Sequence, residues 1–221
     1  MFGLPLSTEF NRRIPKQKFY ANLVTTHTVK KLFTEQIKSI FWRNKLAAAT
    51  LNIAVGRQVI EIEVLEINLV AAAIDNALLL QIDRAIPYHT LFLLEFEGKY
   101  RVVIGYKVIE DPGNAVPKVE RYYYTEWIHK EDLHLHLDGL TMDSVYENLI
   151  RRIAGRGLYG TELMTLKESV EWQRKCEHLE KQIATLQRQV KSEKQPKKKF
   201  ELVTRLKEVA SKWQSLKGGA N

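Results

Sequence analysis

Residues 59–69 read VIEIEVLEINL, and their alternation of apolar and acidic side chains decides the class of the fold. Successive side chains of a strand point to opposite sides, so this period of two predicts a strand. We predict a second strand over LNIAV (51–55), joined to the first by a turn at Gly56 and Arg57. Because alternating glutamates on a strand are typical of a solvated face, we expect these carboxylates to meet water.

A helix and a hairpin are predicted on the C-terminal side of this strand. The stretch IDNALLLQIDRAI (74–86) has apolar residues at helical spacing and stops before a proline, which predicts a helix. TLFLLEFEGKYRVVIGYKV (90–108) predicts a hairpin with its turn at Glu97 and Gly98, since glycine tolerates the positive φ of a tight turn. The aromatic stretch VERYYYTEW (119–127) predicts a further strand, which makes about five in all.

The flanking segments complete a predicted α+β domain. Residues 1 to about 18 mix prolines with basic residues and are predicted to be irregular. Residues 28–41 have one wide apolar stripe, which predicts a core helix. Thr141 can cap another helix that runs through Ile153. We therefore predict an α+β domain over residues 1–154, with a mixed or antiparallel sheet and flanking helices.

The last quarter of the chain has a different organisation. Two segments with heptad spacing are joined by KSEKQPKKK (191–199), and Pro196 makes one continuous helix through this stretch unfavourable. We predict an antiparallel helical hairpin over residues 163–221, called the arm below, after a glycine-rich hinge over 155–162. The apolar heptad positions form a predicted interaction seam: Trp172, Leu179, Ile183, Leu186, Val190, Leu202, Leu206, Val209, Trp213 and Leu216.

The positive charge of the chain is concentrated in the arm. The whole chain has a formal net charge of +8, and residues 163–221 hold 14 Lys and Arg against 7 Asp and Glu, which gives +7. Lys194, Lys197, Lys198 and Lys199 cluster at the predicted turn, where they could bind phosphates without reading sequence. Heptad helices are also often rich in solvated lysine, so solubility alone is an alternative explanation of this charge.

Two features bear on the compartment of the protein. Cys176 is the only cysteine, so no disulfide can form within one chain, which fits a reducing cytoplasm. The longest apolar stretches, near residues 78–80 and 91–94, are too short to span a bilayer. We expect a soluble cytoplasmic protein that does not enter the membrane.

Two motifs of known chemistry are present but lack the context that the chemistry requires. GRGLYG (155–160) has the spacing of a dinucleotide-binding loop, yet a predicted helix rather than a strand precedes it. His134, His136 and Asp138 alternate with leucines and could share one face of a strand as metal ligands. We favour leucines in the core and histidines in water, and we predict no metal, no cofactor and no catalytic residue.

A metal-dependent nuclease is the main alternative that the sequence leaves open. Such enzymes place two acids and a lysine on adjacent strands to hold Mg²⁺ and activate water. The acids and the lysine could come from Glu61, Glu63, Glu66, Asp83, Glu95, Glu97 and Lys99. Glu97 and Lys99 have a suitable spacing, but the predicted turn at Gly98 would point both of them outward.

Five stretches are similar to segments of one bacterial family: GLPLSTEFNRRIPKQKFY (3–20), IKSIFWRNKLAAATLNI (37–53), IDRAIPYHTLFLLEFEGKYRVVIGYK (82–107), RYYYTEW (121–127) and LEKQIATLQRQVKSEKQPKKKFELVTRLKEV (179–209). Through them almost the whole chain resembles domain of unknown function four-three-nine-one. The resemblance implies genes that neighbour DNA methyltransferase and helicase genes of restriction or phage-defence systems. It implies no catalytic residue.

These observations predict a non-enzymatic accessory protein of a bacterial restriction or phage-defence complex. It would dock on a protein partner of helicase or methyltransferase type, and non-specifically on nucleic acid, through the basic arm. The alternatives are the nuclease described above and a homodimeric scaffold in which two arms form a four-helix bundle without touching nucleic acid.

Overall fold

The computed structural model describes residues 2–22, 27–108, 117–155, 158 and 164–218. Two compact units are formed by residues 1–155 and 156–221.

Strands and helices alternate along the first unit. Its described elements are β1 (Glu9–Ile14), α1 (Lys16–Asn22), α2 (His27–Gln36), β2 (Ile37–Ala47), α3 (Ala48–Leu51), β3 (Glu61–Leu69), α4 (Asn76–Arg84), β4 (His89–Phe96), β5 (Lys99–Val108), β6 (Lys118–Tyr124), β7 (Ile128–His129) and α5 (Met142–Ala154). Short 3-10 turns lie at Leu6–Thr8 and Lys130–Asp132. The second unit contains α6 (Leu166–Ser192) and α7 (Pro196–Gly218), which pack against each other.

The strands form one mixed sheet in the order β1-β2-β3-β4-β5-β6, with β7 beside β5. The β3 and β4 strands are parallel and are connected through α4, whereas every other described pair is antiparallel. The predicted α+β class, with its mixed sheet and C-terminal helical hairpin, is therefore confirmed. The described sheet has seven strands, whereas about five were predicted, because β1 and β2 lie in segments predicted to be irregular or helical, β7 was not predicted, and the strand predicted over 51–55 is absent.

Helices cover both faces of this sheet. The face under α1, α2 and α4 holds an apolar core cluster: Phe19, Phe33, Ile37, Ile40, Leu65, Ile67, Leu69, Leu78, Leu79, Ile82, Phe92, Leu94 and Val103. The opposite face packs against α5, where the Tyr146 ring contacts His89 and its hydroxyl donates to the Gly105 carbonyl at 2.6 Å. Because helices cover the sheet on both sides, β3 and β4 are shielded from water. Polar side chains on these two strands, such as Glu61, Glu63 and Thr90, are therefore buried.

The helix predicted over residues 28–41 is wrong in its second half. Helix α2 ends at Gln36 and the chain continues as β2. The register of β2 against β3 shifts between Ile37 and Ser39 and again between Trp42 and Asn44. Each shift inserts an extra residue, so buried side chains recur every three or four positions, which is the spacing of a helix.

Two predicted segments near the ends of β1 and β3 also differ from the structure. Residues 1–18 are not irregular, since they contain β1 and the start of α1. The strand predicted over 51–55 is absent, because α3 covers Ala48–Leu51 and Asn52 ends it in the left-handed region, with a φ of 54°. Ala54 forms only an isolated bridge, with Thr141.

The remaining described elements agree with the sequence patterns. The strand of residues 59–69, the helix before Pro87, the hairpin at Glu97 and Gly98, the aromatic strand and the helix capped by Thr141 are all present. Most of the glycine-rich hinge over 155–162 lies outside the described residues.

Asp143, in the first turn of α5, anchors the turn that leads into β3. Its carboxylate accepts hydrogen bonds from the backbone amides of Arg57 (2.6 Å), Gln58 (3.1 Å) and Val59 (2.8 Å). Partial burial raises the pKa of Asp143, but these three amides lower it more, so the net shift is downward. The start of β3, where Glu61 lies, is thereby held to α5.

Candidate functional site

One end of the sheet brings a row of polar side chains together on the face that α4 covers. Lys45 of β2 lies opposite Glu63 of β3, and Glu63 lies opposite Thr90 of β4. Glu61 is two residues before Glu63 and shares this face, since strand side chains alternate. We call these four residues the carboxylate row.

The row is deeply buried except at Lys45. The Lys45 Nζ atom lies 2.6 Å from Glu61 Oε2, and the Lys45 side chain remains 39 % exposed. Glu63 is 3 % exposed and Thr90 is 1 % exposed. With both glutamates ionised, Glu61 Oε1, Glu63 Oε2 and Thr90 Oγ1 have no hydrogen-bond partner among the described residues. Three unsatisfied buried oxygens side by side are uncommon, because each one costs free energy.

The two carboxylates of the row have different protonation behaviour. Burial is the largest cause that raises the pKa of Glu63; together with the hydrogen bond and negative charge of Glu61, and opposed in part by Lys45, it brings this pKa to about 9. The hydrogen bond to Glu61 raises the pKa of Lys45. At neutral pH the row without a ligand therefore holds a lysine, one carboxylate and one carboxylic acid.

A cavity of about 220 Å³ adjoins the row. Glu63 lines it together with Lys18, Trp42 and Tyr88, and the rest of its wall is apolar. Lys18 lines the same cavity as Glu63, and Lys45 pairs with Glu61. The space is large enough for several water molecules or a small ligand.

A second buried ion pair lies at the same end of the sheet. Lys107 Nζ lies 2.5 Å from Asp83 Oδ1, and the two side chains are only 2 % and 1 % exposed. The Lys107 ammonium also donates to the Tyr88 carbonyl at 2.7 Å, and the Tyr122 hydroxyl donates to Asp83 Oδ2 at 3.0 Å. Together these bonds connect β5, β6 and the end of α4 to Tyr88, which borders the cavity.

Replacing Glu63 by glutamine should remove a pH dependence of stability. Between the usual pKa of about 4.5 and the folded-state value of about 9, the folded protein holds a proton that the unfolded chain has lost. The contribution of Glu63 to the free energy of unfolding is therefore fully present below pH 4.5. It is lost as the pH rises from 4.5 towards 9, by at most about 1.4 kcal/mol per pH unit. We expect Glu63→Gln, which resembles the protonated acid, to be more stable than the wild type at pH 8.

Urea unfolding at pH 5, 6.5 and 8 in the presence of EDTA measures this difference. Glu97→Gln is the matched control, because Glu97 is an exposed acid at a hairpin turn. Parallel stability profiles for the wild type and Glu63→Gln would show that Glu63 ionises normally in the folded protein.

The acids considered for a nuclease separate into two groups in the structure. Glu61 and Glu63 lie together beside Lys45, although the sequence pattern predicted a solvated face for them; they are buried because β3 lies inside the sheet. The other five residues lie elsewhere. Glu66 pairs with Arg43, Asp83 pairs with Lys107, Glu95 Oε1 accepts from the Gly98 amide, and Glu97 and Lys99 are exposed.

Sequence reasoning missed Lys45 because the strand that carries it was not recognised. Its signal is the alternation of Lys45 with the buried Asn44 and Leu46 at the end of β2. Read as a strand, this segment places Lys45 on the face opposite to its neighbours, and antiparallel pairing with β3 then brings it to the glutamates.

The histidine segment has the arrangement that the sequence favoured. Leu133 and Leu135 are buried, while His134 and His136 are exposed, and Asp138 pairs with Arg152 at 2.6 Å. The segment is not a strand. In the part of the chain that the structure describes, no group of three or more His, Cys, Asp or Glu side chains is arranged to hold a metal ion.

The arm forms the predicted hairpin, with α6 and α7 joined through residues 193–195. Trp213 Nε1 donates to Glu180 Oε1 at 3.1 Å, and Lys217 lies 3.8 Å from the same oxygen. Contacts between the middle of α6 and the end of α7 require the two helices to be antiparallel. Of the predicted seam, Leu186 is buried, as is Cys176 on the same stripe, and the other nine positions are half-buried.

The predicted nucleic-acid-binding lysines lie at the tip of this hairpin. Lys194 precedes α7, and Lys197, Lys198 and Lys199 occupy its first turn; all four are exposed. Phe200 follows them and is 74 % exposed. Phe200 was not among the residues predicted to bind nucleic acid. An aromatic residue directly after three lysines is nevertheless typical of surfaces that bind single-stranded nucleic acid.

Within the described residues, no helix combines the length and the apolar character needed to cross a bilayer. Searches for similar proteins found no matching curated protein and no matching solved structure. One family model matches residues 2–212, and its description is domain of unknown function (DUF4391). Because this match covers nearly all of the 221 residues, the chain belongs to the DUF4391 family.

Proposed function

We propose that this protein is an accessory docking subunit whose basic arm binds nucleic acid non-specifically and a protein partner through its apolar seam. The setting that we propose is a bacterial restriction or phage-defence complex, with a helicase or DNA methyltransferase as the partner. The family resemblance supports this setting. The lysines and the apolar seam of the arm support the mode of binding.

The single observation that carries the proposal is the position of three lysines in the first turn of α7. The amide dipoles of a helix favour acids at its N-terminus and disfavour cations, yet this turn holds Lys197, Lys198 and Lys199 and no acid. In the described part of the chain none of the three has an acidic partner. Because these lysines do not stabilise the helix and remain exposed, they are available to bind an external anion. Three neighbouring lysines match the close spacing of the phosphates in nucleic acid.

Two features of the arm support docking on a protein as well. Nine of the ten predicted seam residues are only half-buried, so two helices alone do not cover them. Phe200 adds an exposed aromatic ring beside the lysines, where it could stack on a base or enter a partner pocket. A further helix packed along the seam would remove this apolar area from water.

Reversing the four tip lysines tests the electrostatic part of the proposal. We expect Lys194→Glu, Lys197→Glu, Lys198→Glu and Lys199→Glu together to weaken duplex-DNA binding by at least about 100-fold in low salt. The plot of log affinity against log salt should become shallower by about 3 to 4, because four phosphate contacts are lost. Fluorescence anisotropy with two duplexes of unrelated sequence measures both quantities and checks that binding ignores sequence.

The matched control reverses four exposed cations of the first unit, Arg57, Lys30, Lys99 and Lys130, which makes the same change in net charge. This control should bind DNA within about threefold of the wild type, since binding depends on local phosphate contacts. Equal losses in both variants would mean that net charge alone attracts DNA. Unchanged binding after reversal of the tip would place the nucleic-acid surface elsewhere.

A further inference from the structure

We infer that Glu61, Glu63 and Thr90 form a binding site for a single hard divalent cation of the Mg²⁺ or Mn²⁺ class, with Lys45 at its entrance. This site is separate from the basic arm and goes beyond the docking function proposed above. Docking can therefore fail while the cation site holds, and the reverse is equally possible.

The geometry supplies the ligands. The strand register places Glu63 between Lys45 and Thr90, and Glu61 shares its face. Glu61 Oε1, Glu63 Oε2 and Thr90 Oγ1 are buried, and when both acids are ionised these atoms have no hydrogen-bond partner among the described residues. The threonine is an independent observation, because its unsatisfied hydroxyl adds a third oxygen to a pair of acids.

The charge of the row points to a cation. Glu61 and Glu63 are two buried acids beside Lys45, and that lysine already pairs with Glu61. A divalent cation that takes the place of the Glu63 proton would neutralise both acids at once.

The donor atoms and the space select the class of cation. All three are oxygens, which hard cations prefer, and Mg²⁺ typically keeps several waters and takes only one or two carboxylates from the protein. The adjoining cavity of about 220 Å³ has room for those waters.

Calorimetric titration of the full chain with MnCl₂, after removal of metals with EDTA, tests this inference. We expect one Mn²⁺ per chain, displaced by Mg²⁺. Glu61→Gln and Glu63→Gln should each weaken binding by at least about 100-fold, and Thr90→Val by about tenfold, because a neutral ligand contributes less than a carboxylate. Glu97→Gln, in an exposed acid, should bind as the wild type does.

Lys45→Met distinguishes a cation site from a purely structural ion pair. Lys45 competes with the cation for Glu61, so its removal should tighten Mn²⁺ binding by about tenfold or more. Mn²⁺ should also raise the unfolding midpoint of Lys45→Met more than that of the wild type. Glu63→Gln is expected to fold, so its loss of binding would not reflect unfolding.

Three results would overturn the inference. They are a wild-type protein that binds no Mn²⁺, a Glu63→Gln variant that binds as tightly as the wild type, and an equal loss in Glu97→Gln. The first would mean that water or a shared proton satisfies the oxygens of the row, and either of the other two would mean that Mn²⁺ binds outside the row.

Discussion

Replacing Lys107 by methionine should destabilise the first unit by about 3 to 5 kcal/mol, which is much of the stability of an ordinary domain. The Lys107 and Asp83 side chains are almost wholly buried, and the ammonium also donates to the Tyr88 carbonyl. Methionine fills a similar volume but leaves the Asp83 charge without a counter-ion in the core. The Tyr122 hydroxyl alone would then remain as its donor.

Urea unfolding followed by circular dichroism measures this loss. The double variant Lys107→Met with Asp83→Asn should recover part of it, because no buried charge is then unpaired. Lys45→Met is the matched control for exposure, because it also breaks a lysine-carboxylate pair but the Lys45 side chain is 39 % exposed. This substitution should lower the free energy of unfolding by about 1 kcal/mol or less. Equal losses for Lys107→Met and Lys45→Met would contradict the argument from burial.

Removing residues 163–221 should abolish nucleic-acid retention and self-association or partner binding while the first unit stays folded. The first unit has its own core on both faces of a complete sheet, and the described core cluster contains no arm residue. The arm holds +7 of the +8 formal charge and the half-buried seam. Loss of that charge should weaken binding to duplex DNA by at least about 100-fold in low salt.

Light scattering for molecular mass, DNA anisotropy and urea unfolding together examine the truncated protein. The reversal variant at the four tip lysines is the informative comparison, since it should lose DNA binding but keep any association through the seam. A truncated protein with unchanged mass and unchanged DNA binding would remove the docking function from the arm. A truncated protein that fails to unfold cooperatively would show that the first unit depends on the arm.

The nuclease alternative now depends on two of the acids named from the sequence, Glu61 and Glu63, and on Lys45, which was not among those candidates. The sequence drew attention to Glu97 and Lys99, which the structure places exposed on either side of the turn at Gly98. Two acids and a lysine on adjacent strands occur instead at Glu61, Glu63 and Lys45. Cation binding at these residues is a requirement of that alternative, whereas the docking proposal does not need it.

The amino-acid sequence by itself determined the elements whose patterns are local. The alternation over 59–69 specifies β3, the spacing before Pro87 specifies α4, and Gly98 specifies the turn between β4 and β5. Heptads and Pro196 specify the helical hairpin of the arm. These signals lie within one turn or one strand, so neighbouring residues are enough to produce them.

The identity of β2 and the burial of the glutamates depend on contacts between residues that are distant in the sequence. Two register shifts give β2 the spacing of a helix, and pairing with β3 overrides that local pattern. A glutamate on an alternating strand is exposed to water when the strand lies at the edge of a sheet and is buried when the strand lies inside it. The order of the strands depends on contacts between residues distant in the sequence. For the same reason Lys45 reaches Glu61 only in the folded protein, because pairing across the sheet joins residues that local periodicity cannot connect.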